Sequence, residues 1–255
     1  MYRVDLNCDL GESFGNYKIG CDEEVIKYIS SANIACGFHA SDPLVMDKTV
    51  KLAKEYEIAV GAHPGLADLY GFGRRNMNVS CLEAKTMVQY QIGALNAFCI
   101  AHKIQMKHVK PHGALYNMAG NNLDLALAIC DGIKSISSDL ILLGLSGSKL
   151  LEAAKIIGLR YASEVFADRA YNDDGSLVSR NIEGAVIVDE NEAINRVVRM
   201  IKERKVETIN GIDIPINAES ICVHGDGVRS LEFVKKINIV FKNENIEITE
   251  LSNIV

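Results

Sequence analysis

The sequence predicts an α/β barrel with parallel strands, and three observations carry that expectation. Short segments with strand patterning alternate with helical patterns along most of the chain, the signature of a parallel sheet with helices outside it. Nearly every strand ends in a His, a carboxylate or a cation beside a Gly or Pro. Strand C-termini of a parallel sheet share one face, and closure into a barrel is what brings the polar ends of all the strands to one pocket. An open doubly wound sheet would instead place a ligand at its switch point.

Arg3 to Cys8 reads as the first strand and runs into Asp9-Leu10-Gly11-Glu12-Ser13-Phe14-Gly15. Ala32 to Cys36 is the second, followed by Gly37-Phe38-His39-Ala40-Ser41-Asp42-Pro43. Asp42 is a good N-cap with Pro43 at the first helical position, and Leu44, Val50 and Ala53 follow on about one face. The third strand, Ile58 to Gly61, runs into Ala62-His63-Pro64-Gly65, then Asp68 and Gly71-Phe72-Gly73-Arg74-Arg75. Ser80-Cys81-Leu82-Glu83 is a capping box, and the helix beyond it carries Met87, Leu95, Phe98 and Cys99 at helical spacing.

Ile104 to Lys110 alternates apolar and polar residues as a fourth strand, which Pro111 stops because it has no N–H to donate. His112-Gly113-Ala114-Leu115-Tyr116-Asn117 then reads as an open loop. Asn122 or Asp124 starts a helix with Leu127 and Ile133 inside it. Leu140 to Leu145 is the fifth strand, and Ser148 after it opens a helix that Gly158 closes. Arg160 to Val165, the sixth, carries Glu164 and leads to Asp168 and Arg169. Residues 166–189 are less regular, with Tyr171, the turn Asp173-Asp174-Gly175, Ser179 and Arg180. They read as a long loop over the active face with a short strand at Ala185 to Val188. Asp189 and Glu192 bracket the start of a helix with the stripe Ile194, Val197, Val198 and Ile201. Ile221 to Val223 is the last strand, ending in His224-Gly225-Asp226-Gly227.

With 255 residues, no Ser/Gly/Pro-rich linker and no repeat, residues 1–255 are expected to form one domain. A formal charge of −6 offers no surface for DNA or RNA. No charged-then-apolar leader precedes the first strand and no apolar run reaches membrane-spanning length, so a cytoplasmic location without membrane contact is expected. Seven cysteines without paired spacing are not a disulfide framework. Cys8, Cys36, Cys99 and Cys222 read as small core hydrophobes, with Cys8 and Cys222 near enough to polar candidates to keep a nucleophilic role open.

The strand exits gather His39, His63, His112 and His224 with Asp9, Glu12 and Asp226 as candidate catalytic groups. Two routes stay open. Asp9, His39, His63 and His112, or the same histidines with Glu12 or Asp42, can hold a divalent metal. The same side chains can move protons without one. His102, on a helix, and His108, inside a strand, read as structural or exposed. Arg74 and Arg75 on a Gly-rich loop suit bidentate capture of a phosphate or carboxylate, with Lys110, Asp168, Arg169 and Arg180 as further candidates around an anion. Ser146-Gly147-Ser148-Lys149 lacks the spacing of a P-loop but can offer backbone N–H groups at a helix N-terminus.

Seven motifs now stand in order. They are Asn7 to Gly15, Ala32 to Ala40, Gly61-Ala62-His63-Pro64-Gly65, Gly71-Phe72-Gly73-Arg74-Arg75, Val109 to Asn117, Glu164 to Arg169, and Cys222-Val223-His224-Gly225-Asp226. Together they resemble the LamB/YcsF family, the A subunits of 5-oxoprolinase, from the first strand to about Asp226. Ser41 stands where that family's pattern has Gly, and Ser179 where Pro is usual before Arg180. The resemblance implies a distorted seven-stranded (β/α) barrel similar to the glycoside hydrolase/deacetylase superfamily. It implies ring opening of 5-oxo-L-proline to L-glutamate coupled to hydrolysis of ATP, with Mg as its counter-ion, and it implies two partner subunits, B and C. Alternatives are a metal-dependent deacetylase or hydrolase on the same barrel, and a substrate-binding subunit without catalysis.

Overall fold

The computed structural model describes residues 1–223 and 228–255, without the side chains of residues 228–230. In strand β1 (Tyr2–Leu10), Val4, Leu6, Cys8 and Leu10 alternate with Asp5, Asn7 and Asp9. Successive strand side chains point to opposite faces. The apolar set joins the main core. The polar set faces the barrel interior, where it bonds to side chains of other strands.

After β1 come α1 (Asp22–Val25), β2 (Ser31–Ala35), α2 (Pro43–Glu55), β3 (Ala59–His63), α3 (Cys81–His102), β4 (Met106–Val109), α4 (Gly113–Asn121), α5 (Leu123–Ile136), β5 (Ile141–Leu145) and α6 (Lys149–Ile157). The chain continues through β6 (Tyr161–Phe166), α7 (Glu190–Glu203), β7 (Lys205–Glu207), β8 (Asp213–Pro215), β9 (Ser220–Val223), α8 (Val228–Asn243) and β10 (Ile246–Ile248). The strands β1 to β6 and β9 pair in parallel in that order, and β9 pairs back onto β1 from Asp5↔Ser220 to Cys8↔Val223. The fold is therefore a closed seven-stranded parallel barrel with helices around it. A register shift at Val60/Gly61 distorts the β3–β4 pairing. β10 lies along the start of β1, from Tyr2↔Ile246 to Val4↔Ile248.

Local chemistry fixes the helices. The Asp42 side chain accepts from the Leu44 and Val45 N–H groups with Pro43 at the first position of α2. Asp42 is thereby an N-cap and not part of a metal set. Ser80 and Glu83 form both halves of the capping box on α3. Gly158 ends α6 in the left-handed region, and Asp189 caps α7 through the Glu192 N–H. On the barrel wall α3 packs against α5, and α5 against α6.

Four differences from the sequence expectations have local causes. The stretch after His112 is the helix α4, which buries Ala114, Leu115, Tyr116 and Ala119. It starts at a Gly with no side-chain cap, so it carries no start signal. Ala185 to Val188 holds a single bridge, Val186 to Arg169, instead of a strand. The antiparallel hairpin β7–β8 lies outside the barrel sheet and had no expectation attached. The short edge strand β10 likewise follows the last motif read from sequence.

The segment between β6 and α7 is held by specific bonds. Tyr171 is fully buried and its hydroxyl oxygen accepts from the Phe166 N–H at 2.9 Å. Arg169 donates to the carbonyls of Val178 (2.6 Å) and Ala185 (3.4 Å). Asp173 accepts from Thr208 at 2.7 Å. No helix of the described residues is long and apolar enough to cross a membrane.

Candidate active site

Lys110, just past β4, is buried. Its Nζ donates to Asp9 Oδ1 (3.0 Å), Glu164 Oε1 (2.8 Å) and Asn7 Oδ1 (3.2 Å), and lies 3.1 Å from Cys222 Sγ. Burial works against charge on the ammonium, but Asp9 and Glu164 outweigh it and hold the Lys110 pKa well above its ordinary value. Tyr116 of α4 donates to the second Glu164 oxygen at 2.7 Å. Asn33 donates to Asp9 and Asn7 and accepts from His108 Nε2 at 2.8 Å. The cation of Lys110 is thus matched by two internal carboxylates. Burial pushes the Cys8 and Cys222 thiols well above the thiol range, which disfavours the thiolate form.

Above this floor lies a group of imidazoles. His63, at the end of β3, is buried, with Nδ1 2.7 Å from the Lys110 carbonyl and Nε2 3.3 Å from Asp9 Oδ2. His112 Nε2 is 2.8 Å from the Phe72 carbonyl, and its Nδ1 is 2.9 Å from His63 Nε2. The His39 ring stacks on His112 with centroids 3.7 Å apart and planes within 3°. Burial first, then the neighbouring imidazoles, holds His39 well below the usual histidine range, and His112 is lowered to about 3. Glu12, His39, His63 and His112 each bring one ligand atom within 4.8 Å of the others. Asp9 gives one oxygen to Lys110 and Asn33 and turns the other toward His63.

The Gly-rich loop separates the two arginines. Arg75 pairs with Asp68, whose carboxyl the Arg75 hydrogen bonds pull down to about 2. Arg75 therefore clamps the loop and is outside the lining of the cavity. Arg74 lies over the Phe72 ring, 5.1 Å from its centroid, and lines the cavity. Gly73 has φ +63 and sits where a Cβ would come within 2.7 Å of His39 and 2.8 Å of His112.

These groups open into a cavity of about 600 Å³. Asp9, Glu12, His63, Lys110, His112 and Arg74 line one side, and Ser146 to Ser148 and Asp174 to Asn181 line the other. Arg180 is in that lining. Arg169 borders it, but its donors serve the Val178 and Ala185 carbonyls instead of a ligand. Asp168 is outside the lining. His39 reaches the cluster from behind His112, and His102 pairs with Asp47 at the surface. His224 and Asp226 lie outside the described residues. One wall was missed from sequence: Gly113, Tyr116, Asn117 and Gly120 line the cavity from α4. Their i, i+3, i+4, i+7 spacing was a readable helical signal.

A family model described as the LamB/YcsF family matches residues 4–255. The chain belongs to the LamB/YcsF family. It is 68% identical over the whole of both chains to a 5-oxoprolinase A subunit from Clostridium beijerinckii, and 59% identical, again over both whole chains, to one from Campylobacter jejuni. Its fold is similar to a solved lactam utilization protein from Thermus thermophilus, with a TM-score of 0.92, 41% identity, and coverage of 97% of this chain and 99% of that one. Where the LamB/YcsF pattern has Gly, Ser41 is buried with φ +76, in the region that favours Gly. Ser179, where that pattern has Pro, lines the cavity.

Proposed function

We propose that this chain is the A subunit of an ATP-coupled 5-oxoprolinase. In this reading 5-oxo-L-proline is opened to L-glutamate while ATP, as its Mg complex, gives ADP and phosphate, and the work is shared with partner subunits B and C in the cytoplasm. The observation that carries it is the convergence of Arg74, the His63–His112 pair and Asp9 on one cavity. The names borne by the full-length relatives support the same reading.

The substrate is a carboxylate on a five-membered lactam. Arg74 has no carboxylate partner among the described residues, so its guanidinium is available to the substrate carboxylate or to a phosphoryl group. Lys110 is already matched by Asp9 and Glu164, so its task is to keep those carboxylates ionised and in place. The lactam carbonyl is deactivated by its nitrogen and the ring is little strained. Transfer of the γ-phosphoryl group to the lactam oxygen gives a better leaving group, and such transfer is mostly positioning and charge stabilisation. Asp9, which lines the cavity with Oδ2 3.3 Å from His63 Nε2, then accepts the proton of attacking water and returns one to the ring nitrogen as the C–N bond breaks; the acyl phosphate so formed is hydrolysed by a second water to glutamate and phosphate. A cavity of about 600 Å³ leaves far more room than a lactam fills, which suits a phosphorylated form of it.

The sequence carries no recognisable nucleotide-binding motif, which supports partner dependence. The test is formation of glutamate and ADP from 5-oxoproline and ATP, with this chain alone and with both partner subunits. Little conversion alone and coupled conversion with the partners is expected. Full turnover by the chain alone, or undiminished turnover by the partners without it, would overturn the reading. A second reading, a metal-dependent amide hydrolase on the same barrel, is favoured by the Glu12–His39–His63–His112 cluster.

A further inference from the structure

His63 and His112 are held with two lone pairs facing each other. A carbonyl oxygen only accepts hydrogen bonds. The Lys110 carbonyl therefore fixes the ring proton of His63 on Nδ1, and the Phe72 carbonyl fixes that of His112 on Nε2. The other two nitrogens, His63 Nε2 and His112 Nδ1, are 2.9 Å apart. Bare imidazole nitrogens repel at that distance, so either a cation or an added proton belongs between them. Glu12 Oε1 is 3.9 Å from His112 Nδ1 and 3.6 Å from His39 Nε2.

His39 supplies an independent observation. Its side chain is fully buried, and neither ring nitrogen has a hydrogen-bond partner among the described residues. Buried polar atoms are rarely left so. The backbone also makes room for these rings. A Cβ at Gly65 would lie 2.6 Å from His39 Nδ1, and one at Gly73 would strike both His39 and His112.

We propose that Glu12, His39, His63 and His112 form a binding site for one divalent transition-metal ion of the zinc type. Imidazole nitrogens suit zinc and its neighbours, whereas magnesium and calcium take oxygen ligands. Metal-binding histidines commonly donate the second ring N–H to a carbonyl, as His63 and His112 do here. An added proton would serve only His63 and His112 and would leave both buried His39 nitrogens without a partner among the described residues. The chemistry such an ion supplies is Lewis-acid activation of a carbonyl or of water. The inference rests on the side-chain geometry alone and is independent of the substrate.

The test uses the full chain, stripped with chelator and titrated with Zn(II) by calorimetry and with Co(II) by visible absorption. One equivalent binding at on the order of a micromolar or tighter is expected, with d–d bands of a low-symmetry Co(II) site. Loss of a ligand should weaken binding at least as much as loss of a supporting partner, so His39→Ala and Glu12→Gln should each lower affinity about a hundredfold. The surface variant His102→Gln should bind as the parent does. Absence of Zn(II) and Co(II) binding up to roughly millimolar, or binding unaffected by both site variants, would overturn the proposal. A ¹⁵N spectrum of the metal-free chain with a proton shared between His63 and His112, in a chain that takes up no metal, would identify the proton as what lies between them.

Discussion

Lys110 and Glu164 form a buried ion pair inside the barrel, with Nζ 2.8 Å from Oε1 and both side chains nearly inaccessible. Asp9 completes the set at 3.0 Å. Removing one member of such a pair leaves a buried charge without compensation and costs roughly 3–5 kcal/mol. Lys110→Met should therefore lower the denaturant midpoint by that order and abolish turnover. Lys110→Met combined with Glu164→Gln should regain part of the stability but not the activity. An unchanged midpoint for Lys110→Met would show that the pair contributes nothing to the fold.

Asp5 gives a pH signature. It is fully buried among Ser30, Ser31 and Ser220, and burial raises its pKa from 3.8 to about 6 against the hydrogen bonds from those serines. The folded state thus keeps a proton that the unfolded chain has lost. The stability this contributes is full below about pH 4 and is lost as pH rises to about 6, an effect of ~3 kcal/mol. The stability of the parent measured against Asp5→Asn should fall by that order across this window and stay level above it. Parallel profiles for the two proteins would remove Asp5 as the cause.

The two arginines of the Gly-rich loop should separate. Arg74→Ala removes the cation that faces the cavity and should reduce coupled turnover by on the order of a hundredfold. Arg75→Ala only frees Asp68 and should cost a few-fold at most, through a looser loop. Steady-state kinetics of both variants in the assembled enzyme decide this. Equal losses would place Arg75 in the cavity after all.

Much of this molecule is written in short-range patterns. The seven barrel strands could be read because short strand-patterned segments alternate with helical ones and because nearly every strand stops at a polar residue beside Gly or Pro. The helices with Asp42, Ser80 and Asp189 caps could be read for the same local reason. What could not be read depends on where strands sit around the barrel. Arg74 and Arg75 are adjacent in sequence, and only the position of Asp68 decides which one faces the cavity. Glu12 groups with all three histidines, while Asp9 is shared between His63 and Lys110, which lies far along the chain past another strand. The helix α4 was hidden by its uncapped Gly113 start, although its cavity-facing residues keep helical spacing.

The pairing of β1 with β9 and β10 bears on how the chain is made. As residues leave the ribosome, β1 is complete at Leu10 and finds β2 soon after, yet its other neighbours span Ser220–Val223 and Ile246–Ile248. Through nearly all of synthesis the strand that carries Asp5, Asn7 and Asp9 has one open edge and an uncovered row of polar side chains. Contacts this distant in sequence close slowly. The same late step that seals the barrel also brings Ser220 to Asp5 and Cys222 to Lys110. The polar floor beneath the cavity is therefore completed last, and a nascent chain stalled before Ser220 lacks its Ser220 and Cys222 contacts.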